Sequence, residues 1–136
     1  MTNYESKVTV MQPSDKVYEQ VSDMRNLEKY KDKIGQNGNV DVQFSQDSIT
    51  ANVSQFGQVT LRLAAKEANK NLKFVLENLP ITANLYLKLN EIAAEKTEIN
   101  FVLEADIPFF LRPMLGNKID TALNKISEIF AAALNG

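Results

Sequence analysis

Residues 97–107 read TEINFVLEADI. Alternate positions carry Ile99, Phe101, Leu103, Ala105 and Ile107, while the positions between them carry Glu98, Asn100, Glu104 and Asp106, with Val102 the one apolar exception. A period of two places successive side chains on opposite faces of a strand, so this segment predicts a strand with one buried face. Upstream, residues 81–90 repeat the pattern, with Ile81, Ala83, Leu85, Leu87 and Leu89 set against Thr82, Asn84, Lys88 and Asn90. Residues 58–66 do so again, with Val59, Leu61, Leu63 and Ala65 against Gln58, Thr60, Arg62 and Lys66. Shorter versions lie at 40–44 and 49–53, a less regular one at 72–78, and a strand-like opening segment at 4–11.

Turn-compatible residues separate these runs: Gln46-Asp47, Gly57, Asn69-Lys70-Asn71, Pro80 and Glu95-Lys96. Connections this short can only join antiparallel neighbours, because a parallel pair needs a crossover of a dozen residues or more.

Two regions follow helical spacing instead. In residues 13–34, Pro13 or Ser14 opens a helix, and Val17, Val21 and Met24 share a face. Asp23 then suits the cap of a second short helix through Leu27, Tyr30 and Ile34, closed by Gly35. Residues 111–135 place Leu115, Ile119, Ala122, Leu123, Ile126, Phe130, Ala133 and Leu134 on one stripe. The expected order is a strand, two short helices, about six antiparallel strands and one long helix. A sheet with one apolar face needs a cover, and the long helix is the element able to supply it. The fold class is therefore α+β: a curved antiparallel sheet of six to seven strands gripping one C-terminal helix. With 136 residues and no linker or repeat, the chain reads as a single domain spanning 1–136.

The absence of residue types narrows the chemistry. There is no histidine and no cysteine, which removes imidazole acid–base catalysis, thiol nucleophiles, disulfides and zinc sites built on those ligands. Fifteen basic residues against seventeen acidic ones give no basic excess for nucleic acid, and no apolar run approaches a membrane span. The opening MTNYESKVTV has no charged-then-apolar leader pattern, so a cytoplasmic location is expected.

The stretch VTVMQPSDKVYEQVSDMRNLEKY, residues 8–30, resembles the N-terminus of the helix-grip superfamily. That superfamily includes START-type lipid carriers, birch-pollen-allergen relatives and bacterial polyketide cyclase/dehydrase-like proteins; the last is the branch it resembles most. The matching positions are Pro13, Val17, Tyr18, Val21 and Asp23. Relatives often carry tryptophan where Tyr18 stands, and the glycine-rich loop of the allergen branch is missing. The resemblance implies the helix-grip fold and a cavity between sheet and helix.

On the strand register, the concave face holds no ionisable residue, which argues against a buried acid or base. Small side chains at Ala51, Ala65, Ala83 and Ala105 either leave room for an apolar guest or let the helix lie close. The residues expected to line a ligand are Tyr30, Leu61, Leu63, Ala65, Ala83, Leu85, Leu87, Phe101, Leu103, Phe109, Arg112, Leu115 and Ile119. Rim groups able to orient it are Tyr4, Tyr18, Tyr30, Tyr86, Arg62 and Arg112. The expected function is binding or carrying a small hydrophobic molecule: a lipid, an isoprenoid or quinone, or an aromatic polyketide. The alternatives are a polyketide cyclase/dehydrase-like enzyme and an interaction module with a filled core, with a homo-oligomer also open. No metal, cofactor, nucleic-acid partner or stable membrane insertion is expected. Asp15, Glu19 and Asp23 recur every four residues and read as a solvated helix face rather than a metal site.

Residues 107–116, IPFFLRPMLG, remain as the passage from last strand to long helix. Pro108 ends strand pairing and Pro113 suits a first helical turn. The leading reading of the adjacent Phe109 and Phe110 is that one plugs the end of the core; a portal gate and a membrane-touching foot come after it.

Overall fold

The computed structural model describes residues 2–26, 42–53, 57–78 and 81–135. The elements are β1 (Thr2–Val10), α1 (Ser14–Ser22), β2 (Val42–Phe44), β3 (Ser48–Val53), β4 (Gly57–Glu67), β5 (Asn71–Glu77), β6 (Ala83–Ala93), β7 (Lys96–Ala105), a 3-10 turn (Phe109–Leu111) and α2 (Arg112–Asn135). Residues 24–26 form a further 3-10 turn; the expected second short helix otherwise falls outside the described residues. All seven strands make one antiparallel sheet in the order β1-β7-β6-β5-β4-β3-β2. Strands β2 to β7 are thus a simple meander, and β1 joins it beside β7 at one edge.

The alternation at 97–107 becomes β7 with its inner face wholly buried: Ile99, Phe101, Leu103 and Ala105, then Ile107 just beyond it. Three rows of directly opposed residues cross the inner face. One runs Tyr4, Leu103, Leu85, Phe74, Leu63; a second runs Ala105, Ala83, Leu76, Leu61, Ile49, Phe44; a third runs Ser6, Phe101, Leu87, Leu72. The irregular segment 72–78 resolves in the same way, with Leu72, Phe74 and Leu76 facing in.

Helix α2, roughly 36 Å long at its residue count, packs chiefly on β1 and also touches β7. Its buried residues Ile119, Leu123, Ser127, Phe130 and Leu134 recur at helical spacing. Phe130 meets Phe101 with ring centroids 5.6 Å apart at a tilt of 58°. Helix and edge strand are also joined by hydroxyls. Ser127 donates to the Asn124 carbonyl at 2.8 Å, so the 2.9 Å contact between Ser6 and Ser127 has Ser6 as donor.

Helix α1 closes one end of the sheet. Val17, Val21 and Met24 are fully buried, as their spacing predicts. The Glu91 carboxylate, from β6, accepts the backbone N–H of Ser14 at 2.9 Å, satisfying one of the donors a helix start leaves open. The far end of α2 is tied down here too. Gln12 donates to the Leu134 carbonyl, its own carbonyl accepts the buried Thr97 hydroxyl at 2.7 Å, and its side-chain oxygen accepts from Gln20 at 2.6 Å. So α2 begins at the end of the sheet remote from α1 and finishes beside it.

Candidate functional site

The inner face is not uniformly covered. Beneath α2, on β7 and β6, Phe101, Leu103, Ala83, Leu85 and Leu87 are buried. Further across, Leu61 and Leu63 of β4, Leu76 of β5, Ile49 of β3 and Phe44 of β2 pack on that core but are only half-buried. These five form an apolar wall continuous with the core and still partly open to solvent.

Of the expected lining residues, Leu61, Leu63, Ala83, Leu85, Leu87, Phe101 and Leu103 share this inner face, and Ile119 is buried on α2. Tyr30 and the side chain of Leu115 lie outside the described residues. Arg112 stands exposed at the head of α2, where its Nε–H donates to the Ile107 carbonyl at 3.3 Å.

Ala65 requires a correction. The pairing of β4 with β5 passes from Leu63↔Phe74 to Ala65↔Lys73, so Ala64 is an extra residue in a β-bulge. Beyond a bulge each side chain changes face, because the period is two. Ala65 therefore joins the outer face and is exposed, while Lys66, opposite Leu72, falls in an inner row. The expectation of an inner face without ionisable groups fails at this point. Lys66 is exposed, near Asp23 at the α1 end, and its charge contributes to holding that carboxyl low. Nothing in the alternation marks the bulge, since alanine suits either face and Ala64-Ala65 reads equally well in both registers.

The four small residues do not converge either. Ala65 points out, the side chain of Ala51 lies outside the described residues, and Ala83 and Ala105 are direct partners, both buried. That pair sits within the core rather than on the half-open wall.

Phe109 and Phe110 need a second correction, because neither is a plug. They are 83% and 74% exposed, and Ile107 with the half-buried Leu111 closes this end of the core instead. The 3-10 turn is the cause: an extended chain would have sent one ring inward, whereas the turn spends the inward positions on residues 107 and 111.

The rim candidates divide. Tyr4 and Tyr18 pack against the core. Tyr86 lies on the outer face, where the Lys73 ammonium sits 5.7 Å from its ring centroid. Arg62 is also outward, bonded to Glu77 at 2.7 Å with Asp47 at 3.6 Å. Its bond to Glu77 raises its already high pKa. Asp15 and Glu19 are exposed, and Asp23 is engaged by Arg25 at 2.7 Å. Among the described residues, no group of three or more acidic side chains converges as a metal would require. Among them, too, no helix is long and apolar enough to cross a membrane.

A six-stranded antiparallel meander with β1 added at its edge as the seventh strand, a small helix at one end and a long C-terminal helix across the inner face is the helix-grip fold. Solved structures agree. START superfamily protein from Mycobacterium smegmatis matches with TM-score 0.66 at 13% identity, over 97% of this chain and 96% of that one. Norcoclaurine synthase from Thalictrum flavum, in complex with dopamine and hydroxybenzaldehyde, matches with TM-score 0.73 at 9% identity, over 96% of this chain and 84% of that one. Aha1 from Colwellia psychrerythraea, solved as a dimer, matches with TM-score 0.64 at 15% identity, over 99% and 97%. No protein-family model and no curated protein matches the sequence. At these identities the likeness establishes the fold alone.

Proposed function

We propose that the chain, as a single domain, binds a small apolar molecule between the sheet and α2. The observation that carries this reading is the half-buried wall of Phe44, Ile49, Leu61, Leu63 and Leu76, continuous with the core. Apolar surface left partly wet at the margin of a core gains from a guest. The gain is about 25 cal/mol per Å² covered, before the cost of association. The fold likeness lends support, since the Thalictrum enzyme of the same fold holds small aromatic molecules. A lipid, an isoprenoid or quinone, or an aromatic polyketide has the required chemistry.

Native mass spectrometry on gently purified protein tests this, together with titration of the apolar fluorophore N-phenyl-1-naphthylamine. The expected results are mass above the bare 15.3 kDa chain, or probe fluorescence that rises on mixing and is lost in Leu63→Glu. A bare mass combined with no probe uptake overturns the reading.

A further inference from the structure

Phe109, Phe110 and Met114 are 83%, 74% and 66% exposed within six residues of one another. Their exposure is built in. Pro108 precedes the 3-10 turn, Pro113 lies in the first turn of α2, and the Leu111 N–H bonds back to the Pro108 carbonyl at 2.9 Å. The Arg112 bond to the Ile107 carbonyl closes the same turn. With Ile107 and Leu111 packed inward, the two rings are held out on a braced corner and cannot fold back onto the core.

Within the corner itself the charged side chains are basic. Between Asp106 and Asp120 the sequence has Arg112 and Lys118 and no acidic residue, in a chain whose net charge is −2. Both basic residues are exposed, and among the described residues no carboxylate pairs with either. Met114 and Lys118 are four apart on α2, so that one apolar and one basic side chain share a side of the helix.

We infer that this corner is a peripheral docking point for an anionic lipid surface. Bulky apolar side chains beside cations enter the interfacial zone of a bilayer without a shaped partner, and two weak signals together make a reversible contact. A second copy of the chain fits less well. A stable interface needs about 800 Å² from each partner, whereas three side chains of this size offer about 500 Å². The corner lies at the end of the sheet remote from α1, so docking leaves α1 free of the surface. The inference does not depend on a ligand in the grip.

Flotation with vesicles of phosphatidylcholine alone, and of phosphatidylcholine mixed with phosphatidylglycerol, tests it at low and high salt. Wild-type protein is expected to float with the mixed vesicles at low salt and to be released by high salt. Arg112→Gln/Lys118→Gln should fall to the level seen with phosphatidylcholine alone. Phe109→Ser/Phe110→Ser should lose roughly tenfold or more in partitioning, with an unchanged thermal melt because both rings are exposed. As the chain has no tryptophan, Phe110→Trp supplies a reporter at the corner whatever the double variant does. Its emission should shift to shorter wavelength on the mixed vesicles. Wild type that stays unbound overturns the inference, as does equal flotation of a folded double variant, or reporter emission that does not move. Dimerisation of the wild type that the double variant abolishes, without vesicle binding, overturns it in favour of a protein interface.

Discussion

Asn69 and Asn78 hold the backbone at φ 62° and 66°, the left-handed region that disfavours side chains branched at Cβ. Asn69 lies in the turn joining β4 to β5, where its residue type marks a break in the sequence. Asn69→Gly should leave stability within a few tenths of a kcal/mol, and Asn69→Val should cost about 1–2 kcal/mol in urea unfolding. Asp23 is a second residue whose setting decides its behaviour. Hydrogen bonds from Arg25, the side-chain one foremost, hold its carboxyl below the ordinary value of 3.8. A carboxylate with a lowered folded pKa contributes stability above its unfolded pKa and loses it as pH falls through the folded value. Carbon-detected NMR titration should show Asp23 ionising below the ordinary aspartate range, and Arg25→Gln should return it upward. Alternation and spacing do not mark Arg25 as its partner; the local turn at 24–26 brings the two together.

At the scale of elements, the joints matter more than the strands. The Thr97 hydroxyl is buried and its one described acceptor is the Gln12 carbonyl, while Gln12 holds the last turn of α2. Thr97→Val keeps the shape and strands that carbonyl, which should cost about 1–3 kcal/mol. Hydrogen exchange should speed up first in the C-terminal turn of α2. On the helix–strand joint, Ser127→Ala should cost about 1 kcal/mol by leaving the Ser6 hydroxyl without its buried acceptor. The strands themselves were readable because one wet face and one dry face impose period two. The β4 bulge was not, because a single inserted alanine leaves composition and hydropathy unchanged while turning Ala65 out and Lys66 in.

Across the whole molecule, the sheet and α2 meet at Phe101 and Phe130. Both are buried, and they are the one tilted ring pair among the described aromatics. Phe101→Ala should cost about 3–5 kcal/mol in urea unfolding, by lost burial and the cavity left behind. Phe109→Ala, on a largely exposed ring of the same type, should change stability by less than about 0.5 kcal/mol. The contrast separates two phenylalanines that composition treats alike. Element order, the antiparallel meander and the buried faces of β6, β7, α1 and α2 were written in the chain, since each follows from local periodicity and from turns too short for any other pairing. Three outcomes were decided only in the tertiary structure: which half of the inner face α2 covers, where β4 slips register, and that both rings of Phe109-Phe110 stay out. The first depends on how elements distant in sequence divide a limited covering surface, the second on how β4 pairs with β5, and the third on a turn whose Ile107 and Leu111 are anchored in the core. Local patterning shows which side chains require burial, but the placement of the covering helix decides which of them receive it.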